Sequence, residues 1–163
     1  MKSMAWIFSI ILSIVLMHSY TERHKVLFTC TGLYNSEIQI AGHKIKNNSN
    51  IAVSVSKSRA AYVNIEGIID YDHNIYHINR EVHFRYEIAN KKAGIVRIFP
   101  IEHFVNTSDT ISTAYTQGLE SSLLGEEKKG KLIRLWKLSD SVLLIGNTFS
   151  PVFSCTMINS EAL

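Results

Sequence analysis

A chain of 163 residues with 46% hydrophobic and 10% aromatic content is too apolar to stay disordered, and long enough for one domain with a real core. Its formal charge of +3 comes from basic and acidic residues scattered along the sequence, without the basic stripe that direct nucleic-acid binding requires. GxSxG, HExxH, CxxC and a phosphate-cradling glycine loop are missing from the sequence, so neither an enzyme nor a cofactor is expected.

The first element is apolar. Met4 to Met17 reads MAWIFSIILSIVLM, behind Lys2 and ahead of the charged run Glu22, Arg23, His24 and Lys25. A charge, an apolar block and a polar exit make a secretory signal, cleaved or kept. Cleavage after Ser19 would put Met17 where a small residue belongs, so a retained signal anchor over residues 1–22 is expected, crossing the membrane with residues 4–20. That segment is about 26 Å long as a helix, short against a hydrocarbon core of about 30 Å. Trp6 and Tyr20 suit the two interfaces. Residues 23–163 would then fold outside the cytoplasm as one domain.

Val26 to Thr31 is rich in β-formers and ends at Gly32, predicting a first strand. Glu37 to Ile45 alternates at Ile38 and Ile40 and gives way to a polar loop, Lys46 to Asn50. Ile51 to Ser56 alternates again, and Arg59 to Asp70 is a further β run in which Gly67 suggests a bulge or bend.

The clearest pattern covers Ile75 to Ile88. Tyr76, Ile78, Val82, Phe84, Tyr86 and Ile88 fall on one face, and His77, Asn79, Glu81, His83, Arg85 and Glu87 on the other. A period of two over this length marks a half-exposed antiparallel strand. Arg80 lands on the apolar face, either snorkelling at an edge or buried and in need of a carboxylate. NKKAG (Asn90 to Gly94) predicts a hairpin turn, and Ile95 to Phe99 a returning strand stopped by Pro100.

From Asp109, the spacing of Ile111, Ala114, Tyr115, Gly118, Leu119 and Leu123 predicts an amphipathic helix capped by Ser108 or Asp109. Beyond the charged turn GEEKKG, short strands follow at Lys131 to Leu138, Val142 to Gly146 and Val152 to Met157. About eight strands with hairpin connections and one late helix define a mainly β, antiparallel domain, a small barrel or a sandwich.

Cys30 and Cys155 lie near the two ends of the exported part. In an oxidising compartment they read as one disulfide; otherwise they are two unrelated buried thiols. A bond would close a loop of 125 residues, for which chain entropy gives about 4.9 kcal/mol as an upper figure. It would also make the first and last strands neighbours, which favours a barrel. Seven histidines raise two further chemistries. Glu81 and His83 could share a metal only with a third ligand that the sequence does not display, so no metal site is expected. As proton sensors, His73, His77, Glu81 and His83 are the candidates, because histidine titrates between about pH 5 and 8. Exposed histidines without a role are the bland alternative.

The short anchor, FTCTG around Cys30, the β-rich stretch and SPVFSCT around Cys155 together resemble the PsaF/MyfF family. These enterobacterial accessory proteins support expression of an acid-induced fimbrial adhesin. The likeness covers nearly the whole chain, and its layout is shared with ToxS-type and FidL-like membrane proteins. It implies a single-pass protein of the bacterial inner membrane with its C-terminal domain, a lipocalin-like eight-stranded barrel, in the periplasm. It further implies a non-enzymatic partner that stabilises or assists a membrane-spanning winged-helix transcription activator, PsaE-like, and couples an envelope signal such as acid pH to adhesin expression. Only the two cysteines carry over residue by residue. The alternative from another class is a periplasmic lipocalin-like binder or sensor of a small apolar ligand, whose mark would be inward-facing apolar residues left unfilled. A fimbrial assembly chaperone would need two seven-stranded sandwich domains, which this length does not hold.

Overall fold

A computed structural model describes residues 2–23, 25–40, 42–111 and 130–160. One helix, α1 (Lys2–Arg23), precedes eight strands: β1 (Val26–Ile40), β2 (His43–Ser56), β3 (Ala60–Tyr71), β4 (Asn74–Asn90), β5 (Ile95–Val105), β6 (Lys131–Lys137), β7 (Val142–Gly146) and β8 (Pro151–Ser160). Each strand pairs antiparallel with its sequence neighbours, and β8 returns to β1. The mainly β domain is therefore a closed barrel and not a sandwich, an architecture that protects strand edges by pairing them.

The alternation along β4 sets the wall. Ile78, Val82 and Phe84 are buried inside and Arg85 is exposed, but Ile88, expected on the inner face, is exposed beside the register shift with β5. The β3–β4 connection is a two-residue turn in which Asp72 and His73 both take positive φ, 48° and 69°. That is the geometry whose twist matches a pair of antiparallel strands. The NKKAG turn forms as expected, with Gly94 at φ +65° and the Asn90 side chain accepting from the Ala93 N–H. Inside, Phe28, Ile51, Val53, Leu143, Ile145 and Met157 pack around the disulfide, and Ala61, Val82, Phe84 and Ile98 form a second cluster. Ile69, Ile78 and Ile111 form a third.

Several local expectations are corrected. β1 does not stop at Gly32 but runs on to Ile40, and the polar stretch Lys46 to Asn50 is strand, not loop. Asn47 and Ser49 point into the barrel, where the Ser49 hydroxyl donates to the Asn47 carbonyl oxygen at 2.5 Å. Mutual satisfaction is what lets two polar residues occupy inward positions. Gly67 is neither bulge nor bend, since its pairing with Ser49 and Ile78 is continuous. It is a point of close approach: a Cβ there would lie 2.3 Å from the Asn48 carbonyl oxygen and 2.5 Å from the Ser49 Cα. Nor does Pro100 end β5. The strand continues to Val105 through a register shift opposite His83 and Phe84, and β6 pairs only with Ile95 to Ile98, so no ladder on that side needs the missing N–H. Past Ile111, the amphipathic helix expected from Asp109 to Leu123 lies outside the described residues.

The expected transmembrane span at residues 4–20 is not supported. Among the described residues no helix is long and apolar enough to cross a membrane. The unbroken apolar block from Met4 to Met17 covers about 21 Å of helix, against about 30 Å of hydrocarbon, before His18, Ser19 and Tyr20 intervene. α1 is nevertheless apolar and uncovered: Trp6 is 74% and Phe8 70% exposed, and Ile11, Leu12, Val15 and Leu16 are exposed as well. The Ser13 hydroxyl is turned back onto the Ser9 carbonyl at 2.9 Å, so it presents little polarity outward.

Candidate functional site

Inward side chains from all eight strands leave a cavity of about 260 Å³ in the upper barrel. Its walls are Val53, Val63, Phe84, Ile98, Ile133 and Ile145, with further aliphatic and aromatic neighbours. The pattern that builds it is alternation on short and long strands alike, with most inner residues β-branched, aromatic or leucine. Side chains of this size meet at the wall but do not fill the axis of an eight-stranded barrel, which is wide enough to hold one small ligand.

Four polar side chains reach this cavity. The Tyr86 hydroxyl donates to the Ser56 carbonyl oxygen at 2.9 Å, and burial pushes its ionisation up. Tyr34 lies on β1. Lys131 opens β6 and Asn147 follows β7, so the antiparallel pairing of these strands puts both at the same end of the barrel. Burial pulls the Lys131 ammonium below the ordinary lysine range. No carboxylate of the described residues pairs with it, and it is the one charged residue among those lining the cavity.

The barrel interior below the cavity is polar. Arg80 projects inward as the break in the β4 pattern requires, and it is buried rather than snorkelling. Its partner is Asp109, in the segment that follows β5: Nε donates to Oδ2 at 2.7 Å and Nη2 to Oδ1 at 3.2 Å, with side chains only 6% and 1% exposed. Nη2 also donates to the Ile111 carbonyl at 3.2 Å. Burial pushes the Asp109 carboxyl up, but hydrogen bonds from Arg80, from the Asn79 N–H and from the Ile111 N–H outweigh it and leave the group below the usual aspartate range. Thr110 adds two bonds to the backbone of His77, accepting at its hydroxyl and donating from its N–H, each 2.9 Å. Residues 106–111 are thereby strapped to β4, with Ile111 buried against Ile69 and Ile78.

Of the four residues named as proton sensors, the structure brings together two. His83 Nε2 lies 2.5 Å from Glu81 Oε1 on the outer wall. His77 is exposed and engages the strap only through its backbone, and His73 is a turn residue. Sequence reasoning missed the other members of the His83 group, because they come from flanking strands. Glu102 on β5 approaches Nδ1 at 3.6 Å, Tyr62 on β3 meets the ring edge-on at 4.7 Å, and Phe104 on β5 lies at 4.8 Å. Among the described residues no group of three or more side chains is placed to hold a metal.

Cys30 and Cys155 are bonded, their Cα atoms 5.5 Å apart and both side chains buried. The bond joins β1 to β8 across the seam that closes the barrel, where only Phe28 to Thr31 pair with the end of β8.

Fold and cavity together define a small, disulfide-closed, up-and-down β-barrel with an apolar cavity. The chain matches no protein-family model and no curated protein.

Proposed function

We propose that this chain is a non-enzymatic sensor of the bacterial envelope whose barrel takes up a small apolar ligand in the manner of a lipocalin. One observation carries it: a closed barrel with an apolar cavity of about 260 Å³, close to the lower end of small-molecule sites. A barrel built for stability alone would fill that space, since each unfilled methyl-sized void costs about 1 kcal/mol. The disulfide fits an oxidising compartment, the periplasm in this proposal. The test is uptake of the neutral fluorophore 1-aminoanthracene by the full chain in lipid nanodiscs, with empty discs as blank. Val63→Trp, which fills the cavity, should abolish uptake; a variant that takes up probe as the natural chain does would defeat the proposal.

A second observation favours the regulatory half. The exposed apolar surface of α1 needs cover, and a lipid surface or a partner's apolar helix supplies it. The outer edge of β1 beyond Gly32 has no ladder partner among the described residues and offers main-chain groups to an added strand. In this proposal α1 holds the barrel at the inner membrane beside a PsaE-like winged-helix activator, and ligand or acid shifts the stability of the pair. Deleting the chain should lower the activator's level and the expression of its fimbrial target; unchanged expression under inducing conditions counts against it.

A further inference from the structure

The cavity is not uniformly apolar, and its polar end has one sign. Lys131 lines it without a carboxylate among the described residues. Asn147, exposed where the cavity reaches solvent, spends its side-chain carbonyl oxygen on two backbone donors, the N–H groups of Phe149 and Ser150, each at 2.8 Å. With that oxygen committed, the carboxamide turns its NH₂ away from the turn, and both groups at this end of the cavity are donors. Of the two tyrosines that also line the cavity, Tyr86 already donates to Ser56, and Tyr34 on β1 adds a hydroxyl. Lys131 is thus the one charged donor in a wall that is otherwise mostly hydrocarbon.

We infer that the natural ligand is a single-chain amphipathic anion, its alkyl body in the cavity and its carboxylate on the Lys131 ammonium with the Asn147 amide beside it. This deepens the proposal that the barrel binds a small apolar ligand, and rests on it. Size narrows the class. Taking about 30 Å³ for a water-sized unit, a space of about 260 Å³ accepts roughly eight to ten carbons of one chain. It does not accept the two chains of a phospholipid or a fused-ring sterol skeleton. Charge narrows it further. Burial already weighs against the Lys131 ammonium, and an anionic head offsets that penalty where a neutral alcohol does not.

The experiment compares decanoate with decanol as displacers of 1-aminoanthracene from the full chain in lipid nanodiscs, corrected for uptake by empty discs. Decanoate should displace the probe at concentrations at least about tenfold lower than decanol, the ratio expected of a charge-assisted hydrogen bond. Lys131→Met should erase that preference and leave decanol displacement as it was, which also shows that the variant is folded. Carboxyl-labelled decanoate should give a bound ¹³C resonance that moves in Lys131→Met. Equal displacement by acid and alcohol, or a preference that survives Lys131→Met, overturns the anion assignment and leaves the apolar cavity standing. Failure of the probe itself to bind overturns both.

Discussion

Replacing Asp109 with alanine removes a carboxylate that holds the buried guanidinium of Arg80 by two hydrogen bonds. The pair is out of water, with side-chain exposures of 6% and 1%, and breaking a buried pair by removing one partner costs about 3–5 kcal/mol because the other charge stays behind. Asp109 also accepts the Asn79 N–H at 3.0 Å and the Ile111 N–H at 3.2 Å, each worth about 1 kcal/mol. The surviving bond from Arg80 to the Ile111 carbonyl returns part of this, so the expected net loss is about 4 kcal/mol. At a slope of about 2 kcal/mol per molar urea, the unfolding midpoint followed by far-ultraviolet circular dichroism should fall by about 2 M. Arg80→Met with Asp109→Leu should recover most of the loss, since an apolar pair of similar volume avoids both desolvation penalties. A midpoint within about 0.5 M of the natural chain for Asp109→Ala, or a double variant no better than the single, would refute a buried pair at this position. The acid dependence has a definite sign. The folded carboxyl lies below its ordinary value, so its contribution is complete above about pH 4 and is lost only as the pH falls further, through the folded value. The natural chain and Asp109→Asn should therefore differ by a constant amount between pH 5 and 7.

Removing the disulfide by Cys30→Ala with Cys155→Ala should lower stability by about 2–4 kcal/mol, below the chain-entropy ceiling for its 125-residue loop; two reactive thiols in the unreduced, unfolded chain would disprove the bond. Gly67→Ala should cost about 1–3 kcal/mol by overpacking β3 against the β2 backbone, and an unchanged urea midpoint would show that the strands can part there freely. His83→Gln, and not His77→Gln, should flatten any acid response of the proposed fimbrial target, because of these two only His83 meets carboxylates, Glu81 and Glu102. Equal effects of the two substitutions would put the response elsewhere.

β4 was legible because one of its faces is wet: a chain that buries every second residue writes its period of two into the sequence. The same rule hid β2. Asn47 and Ser49 occupy inward positions by bonding to each other, and a hydropathy pattern cannot distinguish a satisfied inner polar residue from a loop. Asp109 is a different case. An acidic residue after Ser108 and before an apolar period has the form of a helix cap, and its side chain does accept the Ile111 N–H, but it also binds Arg80, 29 residues away. That Arg80 needs a carboxylate follows from local alternation; which one it finds depends on where a loop returns. The cavity is harder still, since its walls come from every strand and its volume from how the sheet closes. Lys131, read only as the start of a strand, acquires meaning from the apolar neighbours that pairing brings around it.

These long-range elements divide the barrel by chemistry. At one end Arg80, Asp109, Asn47 and Ser49 are polar and internally satisfied, so they hold the 106–111 strap down and offer nothing to a ligand. Further along the interior lie an apolar cavity and two donors, Lys131 and Asn147, whose partners the described chain does not provide. The disulfide belongs to the second region by position, packed with Phe28, Ile51, Val53 and Ile145, all of which also line the cavity. It staples the short β1–β8 ladder, the seam through which the cavity wall would otherwise part. A covalent bond there fixes the shape of the cavity, while the strap is held by an ion pair that mild acid does not break. The cavity in which the proposed ligand would sit and the His83 group with Glu81 and Glu102 thus occupy separate places on this domain, the interior and the outer wall.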